Sequence, residues 1–208
     1  MALSTVSDSE SDSCQTPLRP LSLELREETA GLHRYTEQRL GFPDAITNLI
    51  EYGSCLERFY RLYRPLETEL AAFDEWRSIG IELEQCRQSE RLARDLSALG
   101  VSPSQLAGAP KASLPALLDF PHALGALYVM EGSTLGSQFI LRHLTSLFGD
   151  KIGAADSFFR GHGEQTTSRW REFKRVLDDY GLENLSHVPR IVAGAKRTFL
   201  SIADWMQP

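Results

Sequence analysis

Apolar residues recur at helical spacing along most of the chain, and no stretch alternates for long enough to predict a strand. The first series runs from residue 21 to residue 40 and stops at Gly41, a residue type common at helix ends. A second helix is predicted from Asp44, a good N-cap residue, towards Phe73. Pro65 lies inside this second series and is expected to kink or split the helix.

The rest of the chain continues the helical pattern with a few interruptions. Residues 79–99 carry an apolar series that ends at Gly100. A segment rich in Pro, Gly and Ser follows and is predicted to be a connection rather than a domain boundary. This connection covers residues 100–118. Helices are then predicted over 121–148, 166–180 and 186–206, with a loop over 153–165.

These elements predict an all-α fold. Residues 21–208 are long enough to bury a substantial core as one domain of seven or eight helices. Residues 1–20 are rich in Ser, Asp and Glu and contain two prolines, so we expect them to form a disordered tail.

Composition narrows the class of protein. Hydrophobic residues make up 42% of the chain, and the net charge of -6 argues against a nucleic-acid-binding protein, whose binding surface is basic. The N-terminus lacks the basic and apolar regions of a signal peptide, and no apolar run reaches the ~20 residues that span a bilayer. Cys14, Cys55 and Cys86 lack metal-site spacing and are expected to be free thiols. We therefore expect a cytoplasmic protein without a membrane segment.

The predicted central helix contains an energetic oddity. Gly132 and Gly136 lie in its interior, where two glycines cost roughly 2 kcal/mol relative to alanine. They are four residues apart and therefore share one helical face. A buried helix that tolerates this cost usually kinks there or lets its backbone approach something flat, so this face is a candidate ligand site.

The first helix carries a candidate metal ligand. His33 lies seven residues after Arg26 and four before Glu37, so the three side chains share one face. A metal-bound histidine needs a hydrogen-bond partner for its second ring nitrogen, and Glu37 is placed to be that partner. The alternative is an exposed histidine beside two ordinary solvated charges.

Three ordered segments resemble the heme oxygenase family, most closely its bacterial, bacteriophytochrome-associated branch. They read LREETAGLHRYTE, LYVMEGSTLGSQFILRHL and FFRGHGEQTTSRWREF, within a match from residue 23 to about residue 200. The resemblance implies heme b held between a proximal and a distal helix, as cofactor and substrate. It also implies oxidative cleavage with O₂ to biliverdin, CO and free iron.

The resemblance assigns roles to residues on both sides of the heme. His33 matches the proximal iron ligand, and Gly132 and Gly136 match the distal glycines. Many family members have an aspartate after the first distal glycine, which organises a water network that supplies protons. Here that position is Ser133, and Tyr63 matches a distal tyrosine that anchors the same waters. We interpret Ser133 as a variant of the network rather than as loss of activity.

Further matches concern the rim of the pocket. Arg171 and Arg175 match basic positions that bind the heme propionates, and Arg26 would extend this basic rim. Phe199 matches a pocket-lining aromatic residue, although core packing would explain it equally well.

Six other residues are not expected to contact the iron. His122, His143, His162 and His187 are interpreted as surface or cap residues, and Met130 and Phe139 as core residues.

Electrons for the implied reaction must come from another protein. The chain has no GxGxxG turn after a strand and no iron–sulfur cysteine pattern, so we expect a ferredoxin or a flavoprotein reductase as donor. A bacteriophytochrome is a candidate acceptor of the bilin. Two other functions stay open: a non-catalytic heme- or bilin-binding protein on the same fold, and a helical enzyme without heme, such as a thiaminase-like protein.

Overall fold

The computed structural model of the chain describes residues 19–107, 112, 114 and 117–206. Within these residues it contains eight α-helices and no β-strand, which confirms the all-α prediction. Residues 1–18 of the predicted tail, including Cys14, lie outside the described residues. The helices are α1 (Leu21–Leu40), α2 (Leu49–Leu70), α3 (Ser89–Ala98), α4 (Pro103–Ala107), α5 (Phe120–Phe148), α6 (Ser157–Arg160), α7 (Thr166–Glu183) and α8 (Val188–Trp205).

Helix α5 is the centre of the fold, and α8 packs along it more extensively than any other helix. Two glycines make this contact unusually close. A Cβ placed at Gly125 would lie 2.0 Å from the carbonyl oxygen of Ile191, and one at Gly194 would lie 2.2 Å from that of His122. Glycine is therefore required where the α5 and α8 backbones touch.

Helices α1 and α7 complete the packing around α5 and α8. α8 packs on both α1 and α5, whereas α7 contacts the same two helices less extensively. At the start of α1, the backbone N–H and hydroxyl of Ser22 donate to Asp178 of α7 at 2.7 and 3.0 Å. Helices α1 and α5 are thus held at fixed positions by the two helices that they share.

Several predicted boundaries were wrong, each for a local reason. Helix α2 begins at Leu49 rather than near Asp44, because Asn48 is the N-cap and its side chain accepts bonds from two backbone N–H groups. Pro65 lies inside one continuous helix and does not split it. The 79–99 segment forms a short 3₁₀ turn, Leu83–Cys86, before α3.

The predicted 153–165 loop contains a short helix, α6, because its two phenylalanines are core residues. Phe158 and Phe159 pack on the aromatic side chains of α2; the ring centroids of Phe158 and Phe59 lie 5.0 Å apart. Cys55 and Cys86 are buried free thiols, as expected. In the part of the chain that the structure describes, no helix combines the length and apolar content of a bilayer span.

Asp119 connects the start of α5 to α8, and its protonation should make the fold less stable at acid pH. It caps α5 by accepting from the His122 backbone, and it pairs with the His122 ring and with Arg190 at 2.7 Å. Burial alone would raise its pKa, but these bonds lower the pKa to about 2. Asp119→Ala should reduce the free energy of unfolding by about 1–2 kcal/mol at pH 7.

The difference between wild type and Asp119→Ala should shrink on acidification. A carboxylate with a depressed folded-state pKa stabilises the fold above its ordinary pKa, and this contribution is lost as the pH falls from about 4 to about 2. Urea unfolding of both proteins at pH 7 and pH 3 measures the difference. A gap that stays constant between these pH values would contradict the assignment.

Candidate functional site

His33 lies on an exposed side of α1, with Glu37 one helical turn further along. Its side chain is 54% exposed, and Nδ1 lies 3.4 Å from Oε2 of Glu37. The ring also meets the ring of Phe199 from α8 edge-on, with centroids 5.6 Å apart. Because Nδ1 faces the carboxylate, Nε2 is the nitrogen available to a metal.

Ser133 and Tyr63 join α5 to α2 through a hydrogen bond of 2.9 Å between their hydroxyl groups. Ser133 Oγ also donates to the Met130 carbonyl at 2.7 Å, so its single hydrogen is used there and Tyr63 is the donor within the pair. Tyr63 is 3% exposed, and burial raises the pKa of its phenol to about 12 although Ser133 lowers it. Ser133 is exposed, so the pair links a buried phenol to the surface.

The two predicted distal glycines have different surroundings. A Cβ at Gly132 would lie 3.5 Å from the ring of Trp170 on α7, whereas a Cβ at Gly136 would meet no atom within 4 Å. Met130 is buried, as predicted, but the prediction for Phe139 is wrong: its side chain is 57% exposed, one turn beyond Gly136. Ser133, Gly136 and Phe139 therefore form an open surface of α5, which we call the distal face.

Three cationic side chains of α7 lie beside the start of α1, together with two aspartates. A surface depression of about 380 Å³ is lined by Ser22, Arg171, Lys174, Arg175, Asp178 and Asp179. Arg175 is already paired, donating to Glu172 at 2.7 Å and to Asp179 at 2.8 Å on its own helix. Arg171 has no ion-pair partner within the described residues. Of the two predicted arginines, Arg171 is thus better placed to receive an anionic ligand.

Sequence reasoning missed several residues at this site. Lys174 lines the depression, and its Nζ lies 6.0 Å above the ring of Trp170. Tyr128 of α5 lies near Thr29 and Arg26 of α1. The pattern RWREFK on α7 contains the Trp–Lys pair, but which side of α7 faces α5 is not visible in the sequence.

Three of the four other histidines have local partners. The His122 ring is buried rather than at the surface, and it pairs at 2.7 Å with Asp119, which is the residue that caps α5. His187 shares a hydrogen bond of 2.8 Å with Tyr180. His162 lies in the turn after α6, with Nδ1 3.4 Å from the guanidinium of Arg91.

The side chains at this site suit heme. His33 offers one nitrogen ligand, and a porphyrin supplies four nitrogen donors of its own. The distal face lacks a side chain at Gly136, so a flat ligand can approach the backbone there. Arg26 and Arg171 are exposed cations of the type that binds carboxylates such as the heme propionates.

Comparisons with known proteins agree with this interpretation. The sequence model of the family "Heme oxygenase" matches residues 19–208. The structure is similar to that of heme oxygenase from Leptospira interrogans, with a TM-score of 0.74, 20% identity and coverage of 90% of this chain and 98% of that one.

Two other solved structures share the fold. The NO- and CO-bound heme oxygenase from Neisseria meningitidis gives a TM-score of 0.74 at 20% identity, covering 91% of each chain. Heme oxygenase 2 from Chlamydomonas reinhardtii, solved without heme, gives 0.66 at 18% identity, covering 90% of this chain and 96% of that one. No curated protein sequence matches the chain. Because the family match covers the whole helical domain, the chain belongs to the heme oxygenase family.

Proposed function

We propose that the chain cleaves heme oxidatively to biliverdin, CO and free iron, using O₂ and electrons from another protein. The observation that carries this proposal is the Ser133–Tyr63 hydrogen bond beside the open backbone of Gly136. It provides two linked hydroxyl groups at the surface where the family binds its distal ligand. Bound heme would be cofactor and substrate at once, because its iron activates O₂ and its porphyrin ring is opened.

On the proximal side, His33 would hold the iron through Nε2. A neutral imidazole suits this reaction better than a thiolate, which pushes electron density towards O–O cleavage. Glu37 faces the other ring nitrogen at 3.4 Å and would orient the ring, and Phe199 packs against its edge. His33 and Glu37 come from one helix, so their relative geometry is fixed by local structure.

On the distal side, the missing side chain at Gly136 would leave room for O₂ at the heme, and the ring of Trp170 lies near Gly132. The Ser133–Tyr63 pair would hold and orient water there. Ser133 cannot carry a charge as an aspartate does, so it would relay protons only as part of a chain. Tyr63 stays protonated at neutral pH because its pKa is about 12.

The cations of α7 would seat the propionates, with Arg171 contributing more than Arg175. Arg171→Ala should weaken heme binding by about tenfold, the loss expected when one charge-assisted bond worth about 1.5 kcal/mol is removed. Arg175→Ala is the matched control, since it removes the same residue type one turn away but from a guanidinium that two carboxylates already occupy. Heme titration by absorbance compares the two, and equal losses would contradict this ranking.

The electron donor is proposed to be a ferredoxin or a flavoprotein reductase that docks near the cations of α7. A bacteriophytochrome is the proposed acceptor of the bilin, in keeping with the branch that the sequence resembles, and the cytoplasm is the proposed location. These partners rest on the family resemblance and on the exposed cations of α7.

The test is to add heme to the purified chain with ferredoxin, its reductase and NADPH, and to follow the Soret band. Loss of the band together with growth of a red-absorbing bilin is the expected result. A Soret band that persists in the presence of O₂ and reductant would instead favour a non-catalytic heme- or bilin-binding protein, which Ser133 in place of aspartate makes a real alternative. No spectral change on heme addition would leave the third function, an enzyme without heme.

A further inference from the structure

Glu131 differs from the other buried carboxylates in the described residues. Glu67 accepts from the backbone N–H groups of Gln88 and Ser89, and Asp95 accepts from those of Ser157 and Phe158. Both therefore have full structural roles as helix caps. Glu131 is 4% exposed, yet its Oε1 has no hydrogen-bond partner. A buried carboxylate oxygen without a partner costs free energy, so it calls for a functional or solvent explanation.

The groups around Glu131 come from three different parts of the fold. The Cys86 thiol lies near its carboxylate, and the guanidinium groups of Arg169 and Arg91 lie close enough to act on it electrostatically. Burial raises the pKa of Glu131, and these three neighbours offset the increase only in part. Glu131 therefore holds its proton at a higher pH than an ordinary glutamate.

The unpartnered polar atoms of this region complement each other. They are Oε1 of Glu131, Nη1 of Arg91, Nε of Arg169 and Nε2 of His162, and each is buried. Two of the four atoms are donors, one is an acceptor, and the His162 nitrogen serves as either. Buried polar atoms of this kind are normally joined by ordered water, which makes two to four hydrogen bonds in such a place.

This group adjoins the distal pair. Glu131 lies two residues before Ser133, on the opposite side of α5, and faces α2 as well as α7. Burial raises the pKa of Tyr63, and the charges of Glu67 and Glu131 raise it further. Because these charges act on the phenol, both carboxylates lie near it. Glu67 is occupied by its helix-capping bonds, so Glu131 is the carboxyl that is free to exchange a proton.

We propose that Glu131, with the water that completes its hydrogen bonds, supplies protons to the Tyr63–Ser133 pair and regains them from solvent past Arg91 and His162. This inference rests on the proposed heme cleavage and identifies the carboxyl that replaces the aspartate missing at position 133. Glu131 acts here through other groups and does not touch the heme.

The proton balance of one transfer is simple. The Glu131 carboxyl gives its proton to water and thence to Tyr63 Oη, whose own proton passes to Ser133 Oγ. Ser133 turns from the Met130 carbonyl and releases its proton at the distal face. The Glu131 carboxylate then takes a proton from solvent through water beside His162. Burial, with Arg169 and Arg91, lowers the pKa of His162 to about 4, so its neutral ring has one N–H and one lone pair for this step.

The test compares Glu131→Gln with Glu69→Gln in the full chain. Glu69 is the matched control: it is half-buried, its Oε2 also lacks a partner, and it belongs to α2. Without heme, ¹³C NMR of the glutamate carboxyl groups should show one resonance that titrates above the ordinary pKa of about 4.3. This resonance should be absent from Glu131→Gln and present in Glu69→Gln.

With heme bound, single-turnover cleavage should slow by at least about tenfold in Glu131→Gln, with a larger solvent deuterium isotope effect. Heme affinity and the Soret spectrum should not change, and Glu131→Asp should recover part of the rate. Wild-type rates in Glu131→Gln, or an ordinary titration of Glu131, would overturn the inference while leaving the proposed function intact. Failure of the wild-type chain to consume heme would instead refute the proposed function, and the proton supply with it.

Discussion

Replacing His33 with alanine should abolish heme cleavage. The structure leaves Nε2 of this ring as the nitrogen available to iron, because Nδ1 faces Glu37 at 3.4 Å. Loss of the ligand should lower turnover by more than about 100-fold, since even the groups that orient a metal-bound histidine contribute 10- to 100-fold. Heme should still enter the site, because Arg26 and Arg171 remain, but its absorbance should lose the signature of imidazole ligation.

Two comparisons make this result specific to His33. His143→Ala removes a histidine from α5 and should leave the spectrum and the rate unchanged. Added imidazole should partly restore the spectrum of His33→Ala, because the half-exposed position of the side chain leaves the space accessible from solvent. An unchanged heme spectrum in His33→Ala would show that another residue binds the iron.

The pairing of His33 with Glu37 was predictable because it is local. His33 and Glu37 lie on one helix, and helical spacing alone places them side by side. The end of that helix at Gly41 was also predicted, since only a residue that readily adopts a positive φ suits this C-cap, where φ is 61°.

The distal side needed the tertiary structure. Tyr63 and Ser133 are 70 residues apart, and only the packing of α2 on α5 brings their hydroxyl groups to 2.9 Å. This pairing was expected only from the resemblance to heme oxygenases, because no periodicity in the sequence predicts it. The lack of a hydrogen-bond partner for Oε1 of Glu131 could likewise not be predicted, because it depends on where Arg91 and Arg169 lie in the fold.

The glycines show the limit of sequence reasoning most clearly. Gly132 and Gly136 were singled out for their spacing, but the helices make their closest contact at Gly125 and Gly194. All four lie inside helices, and their energetic cost in the unpacked chain is the same. What distinguishes them is the neighbour that a Cβ would meet, which only the packed structure reveals.

Gly194→Ala and Gly136→Ala should therefore change stability in opposite directions. Both substitutions gain about 1 kcal/mol of helix propensity. At Gly194, however, the new Cβ would lie 2.2 Å from the His122 carbonyl oxygen and 2.7 Å from its Cα, and backbone atoms cannot move aside as a side chain does. Helices α5 and α8 must separate, so we expect a net loss of about 3 kcal/mol and a Tm lower by about 6–12 °C.

At Gly136 the new methyl group meets no atom within 4 Å, so the heme-free protein should gain up to about 1 kcal/mol and 2–4 °C in Tm. The same methyl group would project from the distal face, where it should slow heme cleavage by ~10-fold or more by displacing the reacting groups. Calorimetry without heme and single-turnover kinetics with heme measure the two effects separately. A Gly136→Ala protein that is more stable and equally active would show that the heme does not approach α5 at this residue, and a fully stable Gly194→Ala protein would contradict the close contact of α5 with α8.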